Sequence, residues 1–224
     1  MTEHHIAIVD DHPLFRNALR HTLSDAFGDL KLSEAGSLDE LVSMLESQAV
    51  DLILLDLNMP GVAGFSGLVT LRSLYPDTPV VVVSANESPS AIRRCLSLGA
   101  SGYIPKSVSI DKIRTAIAAI LRGEIWAPPD IDCEMEDDPE IAALANRIAT
   151  LTPQQMRVLT LLGEGLLNKQ IAYNLSVSEA TVKAHVSAVL QKLGVESRTQ
   201  AVIAVQRIED DIGESRKGVS GEAV

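Results

Sequence analysis

The first 125 residues alternate short apolar runs with amphipathic stretches, and this alternation limits the possible folds more than any other feature. The apolar runs are predicted strands: His5–Val9, Leu30–Ala35, Asp51–Leu57, Pro79–Ser84 and Ser101–Pro105. The amphipathic stretches are predicted helices, near Pro13–Ala26, Leu38–Gln48, Phe65–Leu74, Pro89–Leu98 and Ile110–Arg122. Strands and helices that alternate at this spacing indicate a parallel sheet covered by helices on both faces. The predicted class is therefore α/β.

The third run, Asp51–Leu57, is aliphatic at almost every position, which is typical of a strand buried on both faces of its sheet. Five strand–helix units in a chain segment of this length favour the flavodoxin-like (βα)5 fold, with parallel strand order 2-1-3-4-5. We therefore predict this sheet for residues 3–125.

The rest of the chain is predicted to form a smaller, all-α domain behind a linker. Residues 127–138 contain two prolines and six acidic residues, a composition typical of a solvated linker. Pro139–Ala149 has the pattern of a short connecting helix. We predict a linker over residues 126–149, a helical domain over 150–210 and a disordered polar tail over 211–224.

Capping signals divide the second domain into four predicted helices. Thr152 and Gln155 form a capping-box pattern around Pro153, which begins the first helix. Ser178 is the predicted N-cap of the third helix, and Gly194 ends it. The predicted helices extend from Pro153 to about Leu162, over Asn168–Leu175, from Ser178 through about Leu193, and over Thr199–Ile208.

The net charge of −11 is unusual for a protein that binds nucleic acid, but the charge is unevenly distributed. Residues 150–207 carry six Lys and Arg against three Asp and Glu, so this segment is the one mildly basic region. A nucleic-acid surface is therefore expected there, although so small an excess does not establish one.

Several features predict a cytoplasmic protein with no membrane partner. No apolar run approaches the roughly 18–20 residues that a membrane span requires. The N-terminus lacks the basic region and apolar core of a signal peptide. The two cysteines, Cys95 and Cys133, are expected to be free thiols in a reducing compartment.

Acidic residues follow two of the predicted strands. Asp10 and Asp11 follow the first strand, and Asp56 ends the third. The first and third strands are neighbours in the predicted order, and ligands of such sheets bind at the carboxyl ends of the strands. Carboxylates brought together there repel one another by roughly 4 kcal/mol per pair. A hard cation such as Mg²⁺ relieves this repulsion, and a carboxylate can then act as a nucleophile toward a phosphoryl group.

Two further residues are predicted to complete this site. Ser84 ends the fourth strand and has a hydroxyl that can donate to a phosphoryl oxygen. Lys106 follows the fifth strand and supplies a cation to the same group. A metal ion, an ammonium and a hydroxyl together stabilise an oxyanion electrostatically.

The residues around these positions resemble the receiver domain of bacterial two-component response regulators over roughly residues 3–125. The resemblance rests on Asp10-Asp11-His12-Pro13, Asp56-Leu57-Asn58-Met59-Pro60-Gly61, Ser84-Ala85 and Gly99-Ala100-Ser101-Gly102-Tyr103-Ile104-Pro105-Lys106. It implies that Asp56 is the phosphoacceptor and that a sensor histidine kinase is the donor.

The same resemblance implies the remaining roles at the site. Mg²⁺ would be held by Asp11, Asp56 and the backbone carbonyl of Asn58, with Asp10 acting mostly through water. Ser84 and Tyr103 would be switch residues: the hydroxyl moves toward the phosphoryl group and the aromatic ring turns inward.

The third predicted helix of the second domain has two distinct faces on a helical wheel. Its apolar face consists of Val182, Val186, Val189, Leu190 and Leu193. Its opposite face consists of Ala180, Ala184, Ser187 and Gln191, flanked by Lys183, His185 and Lys192. Small residues edged by basic ones suit insertion into a major groove, because large side chains would hold the helix out. An ordinary four-helix domain with no DNA partner fits the wheel equally well.

The sequence of this domain resembles the LuxR-type helix-turn-helix over roughly residues 150–207. The matching segments are 168–172, 181–186, 192–195 and 197–201. A receiver followed by this module is the arrangement of the NarL/FixJ family, and it implies that the fourth helix supports dimerisation. The residues expected to contact DNA are Lys169, Thr181, Lys183, Ala184, His185, Ser187, Lys192 and Arg198. Ser187 stands where family members often carry a second basic residue.

The predicted function is a response regulator transcription factor. Phosphorylation of Asp56 is expected to control homodimerisation and binding to double-stranded DNA, with no catalysis beyond self-directed phosphoryl transfer and hydrolysis. One alternative is a Mg²⁺-dependent phosphohydrolase with an aspartyl nucleophile; such enzymes usually carry a second Asp where this chain has Asn58. Another is a regulator that binds DNA independently of phosphorylation.

Overall fold

The structure is a computed structural model that describes residues 4–28, 30–59, 64–131 and 139–204. The chain divides into two compact units, Met1–Glu134 and Met135–Val224. In the described part of the chain, no helix combines the length and apolar character needed to cross a membrane.

Unit 1 is an α/β domain with one parallel sheet of five strands in the order β2-β1-β3-β4-β5. Its strands are β1 His4–Val9, β2 Leu30–Ala35, β3 Leu52–Leu55, β4 Val80–Ser84 and β5 Gly102–Pro105. Its helices are α1 Pro13–Phe27, α2 Leu38–Leu45, α3 Ser66–Leu74, α4 Pro89–Ser97 and α5 Ile110–Leu121. The predicted fold class and strand order are confirmed.

Two elements, β3 and α2, are each three residues shorter than predicted, and hydrogen bonds at their ends explain why. Asp51 lies before β3, where its backbone N–H donates to the His5 carbonyl and its carboxylate accepts from the His5 N–H, both at 2.7 Å. At the end of α2, the N–H groups of Ser47 and Gln48 both point to the Met44 carbonyl, at 3.0 and 3.1 Å. This tightened turn ends the regular helix at Leu45.

The central strands are buried on both faces, as the aliphatic composition of β3 predicts. One core cluster joins Ile8 and Leu54 from the sheet to Leu23 of α1 and Ile117 of α5. Each fully buried aliphatic side chain contributes about 1.5–3 kcal/mol relative to its exposed state. This packing holds the carboxyl ends of β1, β3, β4 and β5 at one edge of the domain.

The chain leaving α5 returns to the edge of the sheet. Trp126 forms a parallel bridge with Gly102 of β5. Its carbonyl accepts from the Tyr103 N–H at 2.9 Å, and its N–H donates to the Ser101 carbonyl at 3.2 Å. Trp126 therefore pairs with unit 1, although the sequence prediction assigned it to the linker. Residues 132–138 of the predicted linker lie outside the described residues.

Unit 2 is helical. Its elements are α6 Pro139–Ala149, α7 Pro153–Gly163, α8 Asn168–Asn174 and α9 Glu179–Leu193, and residues 198–204 are also helical. The capping box is confirmed: the Thr152 side chain accepts from the Gln155 N–H, and the Gln155 side chain accepts from the Thr152 N–H. The predicted end of the last helix at Ile208 and the predicted tail lie outside the described residues.

The start and end of α9 follow the predicted signals. The Ser178 hydroxyl accepts from the Thr181 N–H at 3.0 Å, which satisfies one of the free amides of the first turn. Gly194 ends the helix with φ of 69°, in the left-handed region that favours glycine. Val182 of α9 packs into a core with Val158 of α7 and Ile171 of α8.

Candidate functional site

Loops at the carboxyl ends of three strands bring together two carboxylates and one ammonium. β1 and β3 pair in a register that matches Val9 with Leu55, so Asp10 and Asp56 follow adjacent strands at the same level. Lys106, directly after β5, reaches across this edge. Its Nζ donates to Asp10 Oδ2 at 2.6 Å and to Asp56 Oδ2 at 2.9 Å. Residues 46 and 50 positions apart therefore meet, as predicted from strand order.

The two carboxylates that accept from Lys106 are almost completely buried. Asp10 is 2% exposed and Asp56 is 1% exposed. Two buried carboxylates this close repel each other, and the Lys106 ammonium offsets that repulsion. Burial lowers the pKa of Lys106, but its hydrogen bonds and charge interactions with Asp10 and Asp56 outweigh burial, so the pKa is raised overall. The lysine is therefore held in its charged form.

Asp11 and His12 complete a cluster of possible metal ligands with Asp10 and Asp56. One ligand atom from each of the four residues lies within 4.8 Å of all the others. Within the described part of the chain, Asp11 Oδ1 is buried and accepts no hydrogen bond of good geometry. His12 Nδ1 lies 2.7 Å from it, which is an ion pair only if the ring is protonated. The oxygen-rich set and the unsatisfied carboxylate oxygen fit a hard divalent cation.

Ser84 and Tyr103 lie beside this cluster and are fully buried. The Tyr103 hydroxyl donates to the Asn86 carbonyl at 2.6 Å, and the Asn86 N–H donates to Ser84 Oγ at 3.2 Å. Burial raises the pKa of Tyr103 well above its ordinary value of 10.0. The aromatic ring of Tyr103 therefore already lies inward, and its hydroxyl is neutral. The backbone of Asn86 links this hydroxyl to the hydroxyl of Ser84.

Asn58 is exposed, two residues after Asp56. Its N–H donates to Asp56 Oδ1 at 3.3 Å, so this turn also orients the carboxylate. Pro60 and Gly61, which the sequence predicts to shape the turn, lie outside the described residues.

In unit 2, the two faces of α9 match the predicted wheel. Val182, Val189 and Leu193 are buried, and Val186 and Leu190 are half-buried. The opposite face is exposed; it consists of Ala180, Thr181, Lys183, Ala184, Ser187 and Gln191. Ala180, Ala184 and Ser187 give this face its small side chains, and His185 lies half-buried at its flank.

The four Lys and Arg residues predicted to contact DNA have different environments. Lys169 and Lys183 are exposed, and Lys183 Nζ lies 3.3 Å from Glu179 Oε1, one turn earlier on α9. Lys192 Nζ donates to the Thr150 carbonyl at 2.6 Å, and an Arg198 guanidinium N–H donates to the Leu166 carbonyl.

Lys192 and Arg198 therefore hold unit 2 together, a role that helix periodicity did not predict. Their predicted contacts with DNA stay predictions. Sequence reasoning also overlooked His12 and Phe15 beside the acidic cluster, and the signal that could have found them was their position in the first turn after Asp10 and Asp11.

The fold and the acidic edge of unit 1 define a receiver domain, and the helices of unit 2 define a helix-turn-helix domain. Residues 6–118 match the family model described as "Response regulator receiver domain". Residues 149–205 match the model described as "Bacterial regulatory proteins, luxR family". The chain therefore belongs to the DNA-binding response regulators that join these two domains, a family of transcription regulators.

Relatives of known name are similar to this chain along nearly their whole length. The glycerol metabolism activator of Pseudomonas putida is 42% identical over 211 residues, which cover 91% of this chain and 96% of that protein. The nitrate/nitrite response regulator protein NarP of Escherichia coli (strain K12) is 33% identical over 202 residues, which cover 90% and 94%.

Solved structures agree with the architecture. A LuxR family DNA-binding response regulator from Silicibacter pomeroyi is 35% identical, with a TM-score of 0.51, over 56% of this chain and 98% of that one. The structure described as two RcsB dimers bound to two parallel DNAs has a TM-score of 0.54 at 23% identity, over 92% and 98%. The likeness to RcsB concerns the fold alone.

Proposed function

We propose that this response regulator accepts a phosphoryl group on Asp56 and that the phosphorylated chain binds double-stranded DNA as a homodimer. The observation that carries the proposal is the Lys106 ammonium, which donates to both buried carboxylates, Asp10 and Asp56. A buried carboxylate beside a fixed cation is arranged to react with an anion that it would otherwise repel.

The reaction is a transfer between two nucleophiles. One Asp56 carboxylate oxygen forms a bond to phosphorus, while the bond from phosphorus to the imidazole nitrogen of a phosphohistidine breaks. The electron pair stays on that nitrogen. The donor is a sensor histidine kinase, and the product is an acyl phosphate on Asp56. In the later hydrolysis, water attacks phosphorus, the Asp56 oxygen leaves as a carboxylate, and inorganic phosphate is released.

The divalent cation that would bind here is Mg²⁺; Asp11, Asp56 and the Asn58 carbonyl would hold it, with Asp10 acting mostly through water. The unsatisfied, buried Oδ1 of Asp11 supports this assignment. When bound, Mg²⁺ would supply charge neutralisation for the incoming phosphoryl oxygens. Lys106 and the Ser84 hydroxyl are the groups of this chain that bind those oxygens directly.

Ser84 and Tyr103 carry the signal from the site. The hydrogen-bonded path from the Ser84 hydroxyl through Asn86 to the Tyr103 hydroxyl supports this role, because movement of one end disturbs the other. Phosphorylation then shifts a pre-existing equilibrium of receiver surfaces toward the form that dimerises.

The DNA-reading element is α9, which enters the major groove with its face of small residues. Its exposed residues Thr181, Lys183, Ala184 and Ser187 lie on or beside that face. Lys169 and Lys183 meet phosphates, and the exposure of both side chains supports this role. Lys192, His185 and Arg198 orient the domain from its flanks and approach the backbone of the DNA.

The decisive test is genome-wide DNA footprinting of the wild type and Asp56→Asn, each with and without a small-molecule phosphodonor. The expected result is donor-dependent occupancy for the wild type and none for the variant. Full occupancy and regulation by Asp56→Asn would instead identify a regulator independent of phosphorylation. Sustained turnover of a small phosphate ester by the wild type would identify a phosphohydrolase.

A further inference from the structure

Phe15 lies beneath the ammonium group of the acidic site. The Lys106 Nζ is 4.4 Å from the centroid of the Phe15 ring. Phe15 belongs to the first turn of α1, where its N–H donates to the His12 carbonyl at 3.1 Å. The ring packs against the core cluster of unit 1, so its position is held by neighbours other than Lys106.

An aromatic face attracts an ammonium through its quadrupole, and the attraction grows when the pair is shielded from water. The Lys106 side chain is only 17% exposed, so this pair is largely shielded. Two donors of the ammonium point to Asp10 and Asp56. The ring adds attraction without offering a competing oxygen acceptor, which leaves those donors available to carboxylate or phosphoryl oxygens.

We infer that Phe15 is a positioning residue for phosphoryl transfer: its ring holds Lys106 over the acidic site while Asp56 changes from carboxylate to acyl phosphate. The inference rests on the proposed function of Asp56. When one Asp56 oxygen becomes bonded to phosphorus, Lys106 loses part of its partner's charge. The ring keeps the ammonium in place for the phosphoryl oxygens, so less reorganisation accompanies the transfer.

The chain offers a matched control on the same helix. Phe27 ends α1 and packs, half-buried, against the same core cluster. No cation lies over its ring within the described residues. Phe15→Leu and Phe27→Leu therefore remove similar aromatic packing, and only Phe15→Leu removes the ring beneath Lys106. Phe15→Met is a second non-aromatic variant, and Phe15→Tyr restores the ring.

The experiment uses the full chain with acetyl phosphate and follows phosphate uptake by intact mass. Phe15→Leu and Phe15→Met are expected to slow uptake by about 2-fold to 30-fold, as the strength of such contacts implies. Phe15→Tyr and Phe27→Leu should keep close to the wild-type rate. Wild-type uptake by both non-aromatic variants, or uptake by Phe15→Tyr as slow as by Phe15→Leu, would overturn the inference.

A second readout does not depend on phosphorylation. The ring should shift the NMR signals of the Lys106 ε-methylene protons upfield, in the wild type and in Phe15→Tyr but not in Phe15→Leu. Unshifted signals in the wild type would overturn the inference on geometry alone. If the wild type takes up no phosphate, the proposed function fails, and the upfield shift by itself then decides whether Phe15 positions Lys106.

Discussion

Removing the Lys106 ammonium should destabilise unit 1 strongly. Lys106→Met keeps most of the side-chain length and removes the charge that Asp10 and Asp56 share. Both carboxylates are at least 97% buried as side chains, so water cannot replace the lost ammonium without a rearrangement of the loops. The perturbation therefore leaves two negative charges facing each other in a nearly dry site.

The separation of these groups sets the expected size of the effect. Ligand oxygens of Asp10 and Asp56 lie within 4.8 Å of each other. With an effective dielectric constant near 20, their repulsion is at least about 3.5 kcal/mol. Loss of one partner from a buried ion pair typically costs about 3–5 kcal/mol. We therefore expect Lys106→Met to lower the free energy of unfolding by about 3–5 kcal/mol in metal-free buffer.

Urea unfolding, followed by the fluorescence of Trp126, measures this change, because the chain has one tryptophan and it pairs with β5. Lys112→Met, at an exposed position of α5, is the matched control and should change stability by less than about 0.5 kcal/mol. Asp56→Asn added to Lys106→Met should recover much of the loss. A loss below about 1 kcal/mol, or no recovery in the double variant, would refute the electrostatic reasoning.

Three further changes test other parts of the structure. Burial raises the pKa of Tyr103, so the neutral hydroxyl contributes stability below pH 10.0, and this contribution is lost as the pH rises above that value. Tyr103→Phe should therefore remove the corresponding fall in the free energy of unfolding, measured across alkaline pH. Lys183→Met should reduce the slope of log affinity against log salt concentration by about 0.9 in DNA-binding titrations, with little change if Lys183 meets no phosphate. In Gly102→Ala, a Cβ would lie 2.9 Å from the Trp126 carbonyl oxygen, so denaturant unfolding should show a loss of about 1–3 kcal/mol; an unchanged midpoint would contradict this close approach.

Sequence reasoning was most successful where the determining interactions are local or repeat along the chain. Alternating apolar and amphipathic segments predicted all five strands and the helices between them, because burial on a sheet or on one helix face imposes a period. Thr152 and Ser178 marked helix starts correctly, since an N-cap acts within three residues. Strand and helix ends were less accurate, because Asp51 and Gln48 are held by hydrogen bonds that periodicity does not encode.

The acidic site was predictable for a different reason. Parallel strands present their carboxyl ends at one edge, so Asp10, Asp56 and Lys106 had to converge once the strand order was known. Which atoms touch was not predictable. Lys106 donates to both carboxylates and lies over Phe15, a geometry set by how α1 packs beside the sheet.

The sequence by itself determined the two domains, the order of the strands, the acidic edge and the faces of α9. Only the tertiary structure decided which basic residues are used internally: Lys192 and Arg198 each reach a backbone carbonyl more than thirty residues away in sequence. Period and capping depend on neighbours within a few residues, whereas these partners are chosen by packing between helices. A lysine that holds its own domain together and a lysine that is exposed to solvent therefore look alike in sequence.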